Sequence, residues 1–165
     1  MDTKTIIDNL VTDRTQADVE RVKALAAKGF AAMTADEQAE WLAGMKGAYN
    51  AADLNRVGTA LNYLAARLSS ICGRSIAWTA KTDWAVTDIP AASQAETYRR
   101  QIQDIRDALT YPAGTPDAPQ LGRLTYTDAN NIERILKLCE DLIVNIAKSF
   151  RHTGAAECAA GGLLT

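Results

Sequence analysis

Histidine occurs once in this chain and cysteine three times, at Cys72, Cys139 and Cys158, with no C-x-x-C pair among them. No His/Cys spacing therefore suits zinc, and an odd, scattered set of thiols argues against a disulfide framework. Reduced thiols are expected, with Cys139 read as a small buried apolar residue inside a helical stripe. Aromatics supply only 6% of the residues and β-branched runs are few, while alanine is abundant, a balance that favours helices in close contact. Cation surplus is missing too: 18 Lys and Arg face 20 Asp and Glu, a net charge of −2. Nucleic-acid binding draws on excess cation to displace counterions, so no nucleic-acid partner is expected. No apolar run is long enough to span a bilayer, and MDTKTIIDNLVTDR lacks the apolar core of a signal peptide, so synthesis in a cytoplasm and no membrane partner are expected.

Catalytic signatures are missing as well. The phosphate loops G-x-x-x-x-G-K-[ST] and G-x-G-x-x-G are absent, and so is G-x-S-x-G. The adjacent carboxylates Asp36/Glu37 and Glu140/Asp141 point to different sides of their helices and suit solvation rather than a shared proton. His152, just past the last apolar stripe, suits the negative end of a helix dipole better than general-base work. A non-enzymatic protein without cofactor or metal is the expectation.

What is present is helical periodicity. The 165 residues fit one domain, expected to be an all-α bundle of about five helices over residues 1–150. A short first helix is expected over about Thr3–Leu10, and a second from Thr15 to a stop at Gly29. Thr34 with Glu37 reads as a capping box before Trp41 and Leu42. Leu54, Val57, Leu61, Leu64 and Leu68 mark a helix from Asn50 to about Leu68, after a turn carrying Gly44 and Gly47. Residues 70–87 break the pattern and permit a short extended excursion. Asp88 with Pro90 reads as the next start, and Tyr98, Ile102, Ile105 and Leu109 as its apolar face. Three of the four prolines fall in the loop 110–124, a connection that can cross one end of a bundle or face a partner. The stripe Ile132, Ile135, Leu136, Cys139, Leu142, Ile143, Ile146, Phe150 predicts a central helix over about Asp128–Phe150. Residues 151–165 read as a small-residue tail, mobile or docked on a partner.

Three helix starts align without a gap: TQADVERV at Thr15, NAADLNRV at Asn50 and DANNIERI at Asp128. The first residue can cap the helix, the fourth (Asp or Asn) suits the positive end of the dipole, and Arg21, Arg56 or Arg134 follows three residues on. Local capping accounts for every position, and pairing of each Arg with the residue three before it is expected on the exposed side. The alternative is a shared Arg–acid surface for a partner. Tyr49, just before the second start, has no counterpart in the other two.

The candidate partner contacts are Trp78 and Trp84 in the irregular stretch, Tyr111 in the proline-rich loop, and Arg151 and His152 after the last stripe. Packing at the end of the bundle is the competing use of the tryptophans.

TQADVERVKALAAKG, MTADEQAEWLAGMKGAYNAADLNRV, the KTDW and TDIP segments, and LTYTDANNIERIL with SFRHTG span nearly the whole chain. Together they resemble a small domain family of phages and prophages of gut Gram-positive bacteria, found alone or appended to tail or baseplate polypeptides. The resemblance implies a structural virion protein of the tail, baseplate or a fibre attachment point. Its partners would be other phage structural proteins or copies of itself in a homo-oligomer, its location the virion, and it brings no catalytic residues. Members often close on an aromatic–Ser–Gly–Glu segment, whereas this chain reads SFRHTGAAECAAGG. The alternatives are an intracellular phage protein that binds and inhibits a host factor, or a helical DNA-binding regulator.

Overall fold

One local device starts four of the helices. A Ser/Thr/Asn-type side chain accepts from a first-turn N–H, and a carboxylate three residues on accepts the cap residue's own N–H. Thr15 and Asp18, Thr34 and Glu37, Asn50 and Asp53, and Thr125 and Asp128 form these pairs. The computed structural model describes residues 3–161, with side chains described over 5–150. Its helices are α1 (Thr3–Asp8), α2 (Gln16–Lys28), α3 (Ala35–Ala43), α4 (Ala51–Cys72), α5 (Ala92–Asp107) and α6 (Tyr126–Gly161), with single 3-10 turns at Phe30–Ala32 and Leu121–Arg123. No strand occurs among the described residues, and the fold is an all-α bundle.

Four boundaries differ from the sequence expectation, the first being the end of α4, which runs to Cys72 and so takes in the start of the stretch 70–87. Asp88 accepts the Ala85 N–H at 2.9 Å and so closes a turn, and α5 begins only at Ala92. Helix α6 begins earlier, because Thr125 caps it and Asp128 is the reciprocal third residue. Its true equivalents are Asp18 and Asp53, and the repeat read from the sequence was shifted by three at its last copy. At the other end the α6 backbone stays helical past Phe150 to Gly161, a stretch rich in alanine, the strongest helix former.

The core lies where α4, α5 and α6 meet. Val57, Leu61, Leu64 and Leu68 of α4, Ile102 and Ile105 of α5, and Ile132, Ile135, Leu136, Cys139 and Ile143 of α6 are sealed from solvent. The three helices run in one sense. Arg56 pairs with Glu133 and, further along both helices, Arg67 with Glu140 at 3.0 Å. Extended segments carry the chain back between them. Residues 73–91 descend along α4, so that Trp84 meets Asn55 and Ala80 meets Asn62. Residues 108–125 descend along α5, so that Ala118 meets Gln103 and Thr115 meets Arg106. The proline-rich loop therefore runs the length of a helix rather than across the bundle's end.

An extended segment laid on a helix finds no free backbone partners there, yet its own N–H and C=O groups must be satisfied. Side chains of the helices do this. Asn55 accepts from the Trp84 N–H (2.7 Å) and donates to the Trp84 carbonyl (2.9 Å); Asn62 does the same for Ala80 at 2.7 and 3.0 Å. Between them Gly58 lets the strap lie close, since a Cβ there would sit 2.3 Å from the Lys81 carbonyl oxygen. On α5, Gln103 accepts from Ala118 and Arg106 donates to the carbonyls of Thr115 and Pro116. Proline, which has no N–H to satisfy, suits such a strap.

Helices α2 and α3 form a smaller unit with its own cluster of Leu25, Met33 and Met45, flanked by Val22 and Trp41. The turn after α3 presses on the first turn of α2, where a Cβ at Gly47 would lie 2.2 Å from the Asp18 carbonyl oxygen.

Candidate functional site

The chain linking α1 to α2 ends in Arg14, which turns inward instead of toward water. Its Nη2 donates to Asp53 Oδ1 (2.8 Å) and Glu133 Oε1 (2.6 Å), and its Nη1 to the Val11 carbonyl (2.8 Å). From one turn further along α4, Arg56 donates Nε to Glu133 Oε2 (3.0 Å) and Nη2 to Glu133 Oε1 (2.7 Å), and also to Asp53. The Val11 N–H closes on Glu133 Oε2 at 2.6 Å. Beside this group Asn130 exchanges two 2.9 Å bonds with the Arg14 backbone. Two cations and two anions thus balance, and the Glu133 side chain is 0% exposed.

Burying charges is costly unless every one is paired and hydrogen-bonded. Both Glu133 oxygens already accept two donors each, which leaves no lone pair for a substrate proton. Burial alone would lower the Arg56 guanidinium's affinity for its proton, but Glu133 and Asp53 outweigh it and raise the pKa. The cluster is a neutral joint that ties the α1–α2 linker, α4 and α6 together.

Tyr49 completes the joint. Its ring lies 5.6 Å from the Arg14 guanidinium carbon, and its hydroxyl meets the Tyr98 hydroxyl at 2.6 Å. Burial raises the pKa of both phenols, so each stays protonated and neither supplies a phenolate. A cleft of about 290 Å³ opens beside it, between Arg14, Lys23, Tyr49 and Tyr126. A second, of about 260 Å³, lies between the first strap and the start of α5, where Lys81 and Trp84 face Ser93, Gln94 and Thr97.

Of the five residues singled out as partner contacts, Trp78, Trp84 and Tyr111 have described side chains, and all three pack on the main core cluster. Trp84 (8% exposed) and Tyr111 (9%) are core residues, and Tyr111 donates to the Ile105 carbonyl at 3.3 Å. Trp78 is half-buried against the core and donates to Asp104 Oδ2 at 2.7 Å. The side chains of Arg151 and His152, and that of Cys158, lie outside the described residues. Cys72 and Cys139 are free thiols, and burial pushes Cys139 up to about 11. Among the described residues no acidic, His or Cys group is arranged to hold a metal, and no helix is long and apolar enough to cross a membrane.

The three arginines of the repeat have three fates. Arg21 reaches across to Glu40 on α3, at 2.7 Å, in the open. Arg56 joins the buried cluster and is the one that pairs with the Asp three residues before it. Arg134 is exposed. The two central members of the joint, Arg14 and Glu133, were not singled out from the sequence. Glu133 carried a signal, since it stands four residues after Ala129 and three before Leu136, on the buried side of α6. A charged residue at a core position announces a partner in the fold. Compared with protein-family models, curated proteins and solved structures, the chain finds no match.

Proposed function

We propose that this protein is a non-enzymatic assembly module whose rigid bundle presents α6 to a neighbouring chain. The observation that carries this reading is the length of α6. Its 36 residues extend about 54 Å, against about 33 Å for the 22 residues of α4. The last buried side chain described on α6 is Ile143, and Phe150 is 64% exposed. The helical backbone nevertheless continues to Gly161, about 27 Å beyond Ile143. A helix of that length in water gains most of its stability from packing, and one whose described side chains have turned exposed by Phe150 is suited to another chain's surface. The buried charge cluster fits the same role, because it ties the first part of α6 to α4 while both Glu133 oxygens are occupied.

The partner class rests on the resemblance of the helix starts and the W-L-A-G-M-K-G-A-Y-N stretch to the phage domain family. On that reading the neighbours are phage tail or baseplate proteins, or copies of this chain arranged in a symmetric ring or trimer. Quantitative mass spectrometry of purified virions is the test. Stoichiometric presence in the particle is the expected result. Presence in the infected cell with absence from the particle would overturn the virion assignment and favour a soluble host-binding protein.

A further inference from the structure

Apolar side chains meet water at both ends of the bundle. At one end is the turn before α5. Asp88 closes it twice on Ala85, its N–H donating to the Ala85 carbonyl at 2.9 Å and its Oδ2 accepting the Ala85 N–H at 2.9 Å. Pro90 restricts the backbone that follows, and Asn55 grips Trp84 just ahead. Val86 and Ile89 stand on this braced turn 96% and 91% exposed. At the other end is the arm of α6, where Ile146 is part-buried and Phe150 is 64% exposed.

These two patches cannot cover each other within one chain. Helices α4, α5 and α6 run in one sense, so all three begin at the same end. Trp84 lies beside Asn55 in the second turn of α4, and α5 starts at Ala92, which puts Val86 and Ile89 at that end. Phe150 lies about 36 Å along α6 from Tyr126, at the opposite end. Charge divides in the same way. From Thr82 to Tyr98 the chain carries Asp83, Asp88 and Glu96 and no cation. Asp83 and Glu96 pair with Lys81 and Arg99, whereas Asp88 is exposed and makes no ion pair among the described residues. From Leu142 to Ala156 the chain carries Lys148, Arg151 and His152 and no acid. Lys148 is likewise exposed and without an ion pair among the described residues.

We propose that the α6 arm of one copy docks on the Val86–Ile89 turn of the next copy, head to tail. The occupant is a second copy because this chain carries both halves of the contact, an acidic apolar turn and a basic apolar arm, and opposite charge favours that orientation over arm on arm or turn on turn. A turn already closed by two hydrogen bonds needs little further ordering on binding. A contact between unlike surfaces leaves a free arm and a free turn on every pair, so it closes into a ring or extends as a filament. This docking rests on the reading of α6 as an assembly arm and gives that arm its receiving surface.

Sedimentation velocity of the intact protein over a concentration series is the test. Wild type is expected to grow beyond a dimer as concentration rises. Ile89→Lys puts a cation on the receiving turn and Phe150→Asp an acid on the arm. Both positions are exposed, so unchanged thermal melts are expected, and each variant alone is expected to sediment as a monomer. An equimolar mixture of the two is expected to form a dimer and stop there, since the pair holds one working arm and one working turn. Asp88→Asn, which keeps an oxygen for the Ala85 N–H, and Lys148→Gln are each expected to weaken assembly by about two- to five-fold. A wild type that stays monomeric at every concentration would overturn the proposal and leave the arm to a different protein, which incorporation into virions tests separately. Assembly lost in Phe150→Asp but kept in Ile89→Lys would mean that arms pair with one another. A mixture that stays monomeric would mean that the contact is not head to tail. Either result would overturn the docking while the arm itself stands.

Discussion

The α2–α3 unit and the α4–α5–α6 core begin their helices in the same way and are held together by different means. The smaller unit buries three apolar side chains and is laced by ion pairs in contact with water, Arg21 with Glu40, Lys28 with Glu37 and Lys46 with Asp13. Exposed pairs of this kind contribute little, because water screens them and two long side chains must be ordered. The core buries twenty of the described residues in one cluster, and the ion pairs of Arg14, Asp53, Arg56 and Glu133 sit inside it, where they are cooperative and intolerant of a missing member. The same Asp-x-x-Arg turn is thus a surface ornament in α2 and part of a joint in α4. Context rather than motif sets its worth, and the smaller unit is the part expected to open first.

The largest expected effect is at the joint. Glu133→Gln leaves Arg14 and Arg56 with only Asp53, and a loss of about 3–5 kcal/mol in urea-denaturation stability is expected. A loss below 1 kcal/mol would show that the four charges do not act as one unit. Arg56→Gln, whose side chain keeps some access to water, is expected to cost about 2 kcal/mol. The matching Arg21→Gln and Arg134→Gln are expected to leave the urea midpoint unchanged, and equal effects at all three positions would erase the contrast between the two regions.

The glycines test the contrast through the backbone. Gly58→Ala drives a methyl group into the Lys81 carbonyl, with an expected cost of about 1–3 kcal/mol and a red-shifted Trp84 emission as the strap lifts from α4. Gly47→Ala makes a comparable clash with the Asp18 carbonyl, but its effect is expected to stay local. Hydrogen exchange should quicken in α2 while the amides of α4 and α6 keep their protection. Global loss of protection would mean that the two regions fold as one cooperative unit. The smallest effect is expected at Leu42→Ser, on the exposed face of α3, where 75% of the side chain already meets water. Its thermal midpoint should not move measurably, and a clear drop would point to packing on another copy.

The helix starts were legible because capping is local chemistry between residues three apart. Even there the last copy misled, since Asp128 serves as well at the cap as at the third position, and Thr125 had to be weighed against it. The apolar stripes were legible because they repeat every three or four residues. The straps were not. Asn55 and Asn62 look like solvated helix positions until the chain of residues 73–91 is laid across them, and Gly58 looks like a weak point in a helix until Lys81 approaches it. Trp84 reads in the sequence either as a plug of the bundle or as a partner contact, and Tyr111 as a contact in the proline-rich loop; the straps that carry them turn both into the core.

The sequence by itself determined that this chain is helical, where most helices begin, and which face of each is apolar, because those properties arise between near neighbours along the chain. Only the tertiary structure decided that α4, α5 and α6 run in one sense, that extended straps return between them, and that Arg14 and Glu133, 119 residues apart, share one buried joint. The physical reason is that a charge or an amide shows its local preferences in the sequence but not its distant partner. Which oxygen satisfies a buried guanidinium is settled by packing, when the apolar stripes close and water is expelled.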